Sequence, residues 1–188
     1  MNKLIIPIKP EDIILQFILY SLPLLIILGN ALVNTALFIV VIIYFYKCIK
    51  SKKLLFSKDL EFKIFLFFYI YLVFNSLQSH ETLVSLIRTV PYLKFFIFIL
   101  VYKDLIEQKK ISLNSLGIFW IIIIALLNLD IILQSITGAD VFGFNSGLIS
   151  RNSGFFFDEL VAGSFLVSFS FISILLVTNK KNDYFLFF

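Results

Sequence analysis

The chain has one cysteine, one histidine and two arginines in 188 residues. With Cys48 alone, no disulfide forms within the chain and no CxxC-type metal site exists. A single histidine, His80, rules out an HExxH zinc motif, and neither a Walker loop nor a GxSxG elbow is present. Nucleotide-driven transport and zinc hydrolysis therefore have no support here, and neither metal nor cofactor is expected. Charge is scarce as well. Charged residues make up 15% of the chain, too few to wet the surface of a soluble domain of this length.

What is abundant is hydrocarbon. The chain is 60% hydrophobic with a mean hydropathy of +1.00, and the bilayer is its natural solvent. The formal charge of +4 does not point to nucleic acid, because the lysines are strung between apolar runs rather than gathered on one face. The fold class expected is all-α, a polytopic transmembrane helix bundle with bilayer lipids as its surroundings.

A spanning helix needs about 20 apolar residues, with a range of roughly 17–25. The first apolar stretch, Ile13 to Tyr46, is broken only at Gly29–Asn30. As one helix it would be about 51 Å long, too long for one crossing, so the pattern predicts two helices, 13–28 and 31–46, with Pro23 kinking the first. Further spans are expected at 62–77, 90–102, 116–136 and 160–177, with a polar return over Gln78–Lys94 and an outer loop at 137–159. After "NKKND" the run "YFLFF", Tyr184 to Phe188, reads as the start of a seventh helix. On that reading the 188 residues are a single membrane domain, the N-terminal part of a longer protein, and are expected to be inactive alone.

Alternating crossings put the N-terminus and the segments 47–63, 103–115 and 178–183 on one side, with thirteen of the sixteen Lys and Arg residues. By the positive-inside rule that side is cytoplasmic. Arg88, Lys94 and Arg151 remain on or near the outer side, so both arginines fall there in a chain that otherwise uses lysine. Arginine's planar fork grips carboxylate or phosphate bidentately, whereas lysine is a hydrated point charge. The outer pair therefore reads either as an anion-binding device or as partners of nearby acids and lipid headgroups.

Other polar groups sit inside the apolar runs. Asp130 and Gln134 share a helix face at i and i+4, at a depth similar to that of Lys94. An intramembrane ionisable group is a functional candidate, and a Lys94–Asp130 ion pair that fixes helix packing is the structural alternative. Asp158 and Glu159 open the sixth span, where they either cap the helix or take part in chemistry. His80, in "QSHETL", is a general base or a solvated loop residue.

Two stretches carry a resemblance. "DIILQSITGADVFGF" and "RNSGFFFDELVAGSFL" resemble the outer-loop signature of the bacterial O-antigen ligase and polymerase superfamily. The matching positions are Asp130, Gln134, Gly138, Asp140, Phe142 and Gly143, then Arg151, Ser153, Gly154, Phe156, Asp158, Glu159, Gly163 and Ser164. In "YLKFFIFIL", Lys94 stands where many members carry arginine, and Phe157 stands where glycine is expected. The resemblance implies a metal-independent glycosyltransferase of the bacterial inner membrane. It would move a glycan from undecaprenyl diphosphate onto lipid A-core or a growing polysaccharide at the periplasmic face. It also implies that Arg151, with Lys94 and Arg88, binds the substrate diphosphate, and that Arg151, Asp158 and Glu159 are the catalytic candidates. The competing classes are a transporter or flippase-like protein, with Asp130, Lys94 and Arg151 lining a path, and a non-catalytic membrane subunit.

Overall fold

In a computed structural model, residues 9–51, 60–143, 152–156 and 161–178 are described. Among them the regular elements are helical: α1 (Pro10–Ile27), α2 (Asn30–Ser51), α3 (Leu60–Leu77), α4 (Thr82–Thr89), α5 (Leu93–Glu107), α6 (Leu113–Thr137) and α7 (Ala162–Thr178). Short 3-10 turns lie at Val90–Tyr92 and Gly154–Phe156. Four stretches are long and apolar enough to cross a membrane: Pro10–Ile27, Asn30–Lys50, Thr82–Glu107 and Leu113–Thr137. This marks a membrane protein. The cores of α3 and α7, Phe62–Leu77 and Ala162–Thr178, are apolar but shorter.

The break between α1 and α2 falls at Gly29, whose φ of +113° suits glycine and little else. The kink expected at Pro23 does not end the helix, since α1 runs on through it to Ile27. A larger difference concerns 78–94. The polar return expected there is instead a turn over 78–81 followed by helix from Thr82 onward. Pro91 occupies the first turn of a 3-10 segment, where its missing N–H costs nothing, so α4 runs through that turn into α5. The candidate span thus begins at Thr82, eight residues before the expected Val90. Residues 179–188, with the expected start of a seventh helix, lie outside the described residues.

The chain divides into two compact units. The first comprises Met1–Leu15 and Asn34–Gln108. Within it, fully buried Asp12 accepts from Lys47 Nζ at 2.6 Å, and Lys50 Nζ lies 4.0 Å from Glu11. Tyr102 Oη donates to the Leu15 carbonyl at 2.8 Å. The α3 rings Phe62 and Phe65 meet Phe96 of α5 at 4.9 and 4.4 Å between centroids. The hydroxyls of Ser76 on α3 and Thr89 on α4 are bonded at 2.6 Å.

The second unit comprises Gln16–Val33 and Lys109–Phe188. Ser112 caps α6 by accepting from the Ser115 amide at 3.3 Å. Trp120 on α6 donates its indole N–H to the Leu19 and Tyr20 carbonyls, at 3.3 and 3.2 Å. α7 packs antiparallel to α6: Gly117 meets Ser173, Leu176 and Val177, Trp120 meets Phe169, and Ile123 and Leu127 share a core with Ala162 and Phe165. α7 therefore starts beside Leu127, about 15 Å short of the end of α6 at Thr137. That offset leaves room for irregular chain against the last turns of α6.

Candidate functional site

The last turns of α6 collect a group of polar side chains, and two returning pieces of loop cover them. α6 ends on Gly138, whose φ of +82° forms a left-handed cap, with its N–H on the Gln134 carbonyl at 2.9 Å. Thr137 Oγ1 then donates to the Ala139 carbonyl at 2.8 Å, turning the chain back. A tight turn follows, in which the Gly143 amide bonds the Asp140 carbonyl and the Phe142 amide bonds Asp140 Oδ1, both at 3.0 Å. The Val141 amide points down the helix and donates to Asp130 Oδ1 at 2.9 Å.

The second piece is Asn152–Phe156. The Gly154 amide donates to Gln134 Oε1 at 3.0 Å in a buried position, and Asn152 Nδ2 reaches the Ile131 carbonyl at 3.5 Å. Gly154 has φ +54°, and a Cβ there would lie 2.8 Å from Ile131 Cγ1 and 3.2 Å from both Asp130 Oδ2 and Leu127 Cδ1. Phe156 drives into the core of Ile123, Leu127 and Phe165, with its ring 5.2 Å from that of Phe165. Asp130 and Gln134 are thus each tied to a different returning segment. Asp130, Gln134, Asp140 and Ser153 are all buried.

Non-helical backbone is stable at membrane depth only where protein buries it or it lines a wet cavity. Asp130 lies seven residues before Thr137, so it sits about 10 Å below the end of α6. The loop that reaches it is satisfied by polar groups of α6 where it touches them. Within this group Asp130 Oδ2 and Ser153 Oγ are buried and have no hydrogen-bond partner.

The remaining sequence candidates are placed elsewhere or not described. Lys94, half-buried on α5, donates to Asn34 Oδ1 at 2.5 Å, with its ammonium 5.2 Å from the Phe95 ring centroid. Lys94 and Asp130 thus each take a partner within their own unit. Arg88 is exposed on α4 rather than in a polar loop, and His80 is exposed in the turn before it. Arg151, Asp158 and Glu159 lie outside the described residues. Among the described residues no three His, Cys, Asp or Glu side chains group to hold a metal ion.

Sequence reasoning missed Asn34 as the Lys94 partner and the Asp12–Lys47 pair. The second had a signal: a hairpin folded at Gly29–Asn30 sets position 12 opposite position 47. The chain matches no model of a known protein family, no curated protein and no solved structure.

Proposed function

We propose that the chain is a membrane glycosyltransferase of the O-antigen ligase or polymerase type, acting at the periplasmic face of the bacterial inner membrane. The observation that carries this reading is the bond between the Gly154 amide and Gln134 Oε1. Gln134 belongs to the first half of the signature and Gly154 to the second, and twenty residues separate them. Two stretches that resemble one motif meet in one place, as parts of one site do. On this reading the six apolar helical segments, with α4 and α5 counted as one, all cross, the N-terminus is cytoplasmic and the 137–159 loop is periplasmic.

The chemistry follows from the donor. An acceptor hydroxyl on lipid A-core or on a growing glycan attacks the anomeric carbon of the donor sugar. The bond from that carbon to the diphosphate oxygen breaks, and undecaprenyl diphosphate leaves with the electron pair. Arg151 stabilises the charge growing on the diphosphate through its bidentate fork. Asp158 or Glu159 takes the proton of the acceptor hydroxyl.

Arg151→Lys tests the central role in a cell lacking its native enzyme. Lysine keeps the charge and loses the fork. Surface polysaccharide should fall at least tenfold relative to wild type at equal protein level. Full restoration by the lysine variant sinks the diphosphate role.

One observation favours a transporter or flippase-like reading instead: the buried Asp130 carboxylate at membrane depth. Lipid-linked glycan that crosses reconstituted vesicles, without any change of its anomeric linkage, would decide for that class.

A further inference from the structure

We propose that α6 pairs with α6 of a second copy of this chain, through a stripe centred on Asn128. α6 is the most apolar of the four candidate spans, and Asn128 lies about 14 Å below its end at Thr137. That depth is close to the middle of a hydrocarbon core about 30 Å thick. Trp120, Ile123 and Leu127, which meet α7, are buried, but Asn128 is exposed. Its Nδ2 donates to the Ile124 carbonyl at 3.0 Å, one turn back on the same helix. The second N–H and Oδ1 have no partner among the described residues.

Asn128 is one member of a row. Ile121, Ala125, Asn128, Ile132 and Ser135 are all exposed, at intervals of four and three residues in alternation. That is the spacing of a seam between two helices packed side by side. Ala125 and Ser135 are small, which lets a second backbone come close in lipid. The Ser135 hydroxyl, one heptad from Asn128, also has no hydrogen-bond partner among the described residues.

Acyl chains cannot answer these groups, because they neither donate nor accept, and an unsatisfied amide in hydrocarbon is costly. A second copy answers both at once. Copies inserted in the same direction carry residues 128 and 135 at matching depths, and a two-fold axis along the membrane normal sets each opposite itself. A carboxylate or an ammonium would repel its own copy there. An amide and a hydroxyl each hold a donor and an acceptor, so each can bond its own image. A different helix would need polar groups at both depths. Because the stripe is apart from the buried face that holds Asp130 and Gln134, the pairing is independent of the glycosyltransferase reading.

The test uses the purified full-length protein in liposomes, with Cys48→Ser, and needs no activity. Under mild oxidation Ile132→Cys, which keeps Asn128 in place, should give a covalent dimer. Leu133→Cys, also exposed but about 100° round the helix, should stay monomeric. Energy transfer between differently labelled copies, followed as lipid is added, measures the affinity. Asn128→Leu should need about tenfold more protein per lipid to pair, and Asn128→Gln should recover most of the loss. A protein that is monomeric at every dilution, its stripe covered by lipid or by another helix, overturns the proposal. So does equal crosslinking at 132 and 133, or an Asn128→Leu protein that pairs as well as wild type.

Discussion

Gly154 is under two constraints that only glycine meets together. Its φ of +54° is costly for any residue with a Cβ, and the Cβ would press Ile131 at 2.8 Å and the Asp130 carboxylate at 3.2 Å. Ile131 and Asp130 both sit on rigid helix, so relief has to come from the loop. Gly154→Ala should cost about 2–4 kcal/mol and break the bond to Gln134. Gly163 is the control, since it lies inside α7 with nothing within 4 Å of an added Cβ. Gly163→Ala should be neutral or stabilising by up to about 1 kcal/mol. Unfolding both variants in detergent gives the comparison, and equal losses would refute the special place of Gly154. The sequence marks Gly154 as part of a motif, yet it does not place it on Gln134. Gln134 and Gly154 are twenty positions apart with the end of α6 at Thr137 between them, so helical periodicity does not relate the two. Asp12 and Lys47 differ in this respect, since two helices and one glycine turn determine their register.

At the scale of elements, α6 and α7 approach closely because Gly117 has no side chain. A Cβ there would lie 2.8 Å from Val177 Cγ2, 2.9 Å from Leu176 Cβ and 3.0 Å from the Ser173 carbonyl. Two of these are fixed by the backbone of α7, so the helices have to separate. Close approach of backbones is a main source of helix association in lipid, where no hydrophobic drive distinguishes a helix from an acyl chain. Gly117→Ala gains helix propensity of up to about 1 kcal/mol and loses about 1–3 kcal/mol to overpacking. The net result should be a lower Tm. Adding Val177→Ala removes the nearest atom, and it should recover part of the loss measured by the same melt. No recovery would mean that the helices are held by something other than this contact. The helices themselves were largely legible, because length and apolar content decide them. The start of the fourth span was not. Residues 78–94 are rich in polar groups, but Thr89 turns its hydroxyl to Ser76 while Leu83 and Ile87, 77% and 71% exposed, face outward. That is the inverse of a soluble helix and suits lipid.

For the whole molecule the open question is whether α3 and α7 cross. Lysine counts do not decide it. If both helices cross, the outer cations are Arg88, Lys94 and Arg151; if neither does, Lys103, Lys109 and Lys110 take that place, and the imbalance stays the same. Shape decides better. A helix lying in the interface needs a polar face. In α3 the exposed Ile64, Phe67, Phe68, Ile70, Tyr71 and Phe74 cover one broad side, and the opposite side carries Phe62, Phe65 and Leu72. α3 and α7 are about 27 and 26 Å long, a few ångströms short of a hydrocarbon core of about 30 Å. Local thinning accommodates that mismatch for fractions of a kcal/mol per ångström, far less than laying a predominantly apolar helix against water. Both helices should therefore cross. The two arrangements assign opposite sides to two exposed residues, His80 and Gln108. In a Cys48→Ser background, a thiol reagent confined to the periplasm should label His80→Cys and spare Gln108→Cys. The opposite pattern would mean that α3 stays on the cytoplasmic side.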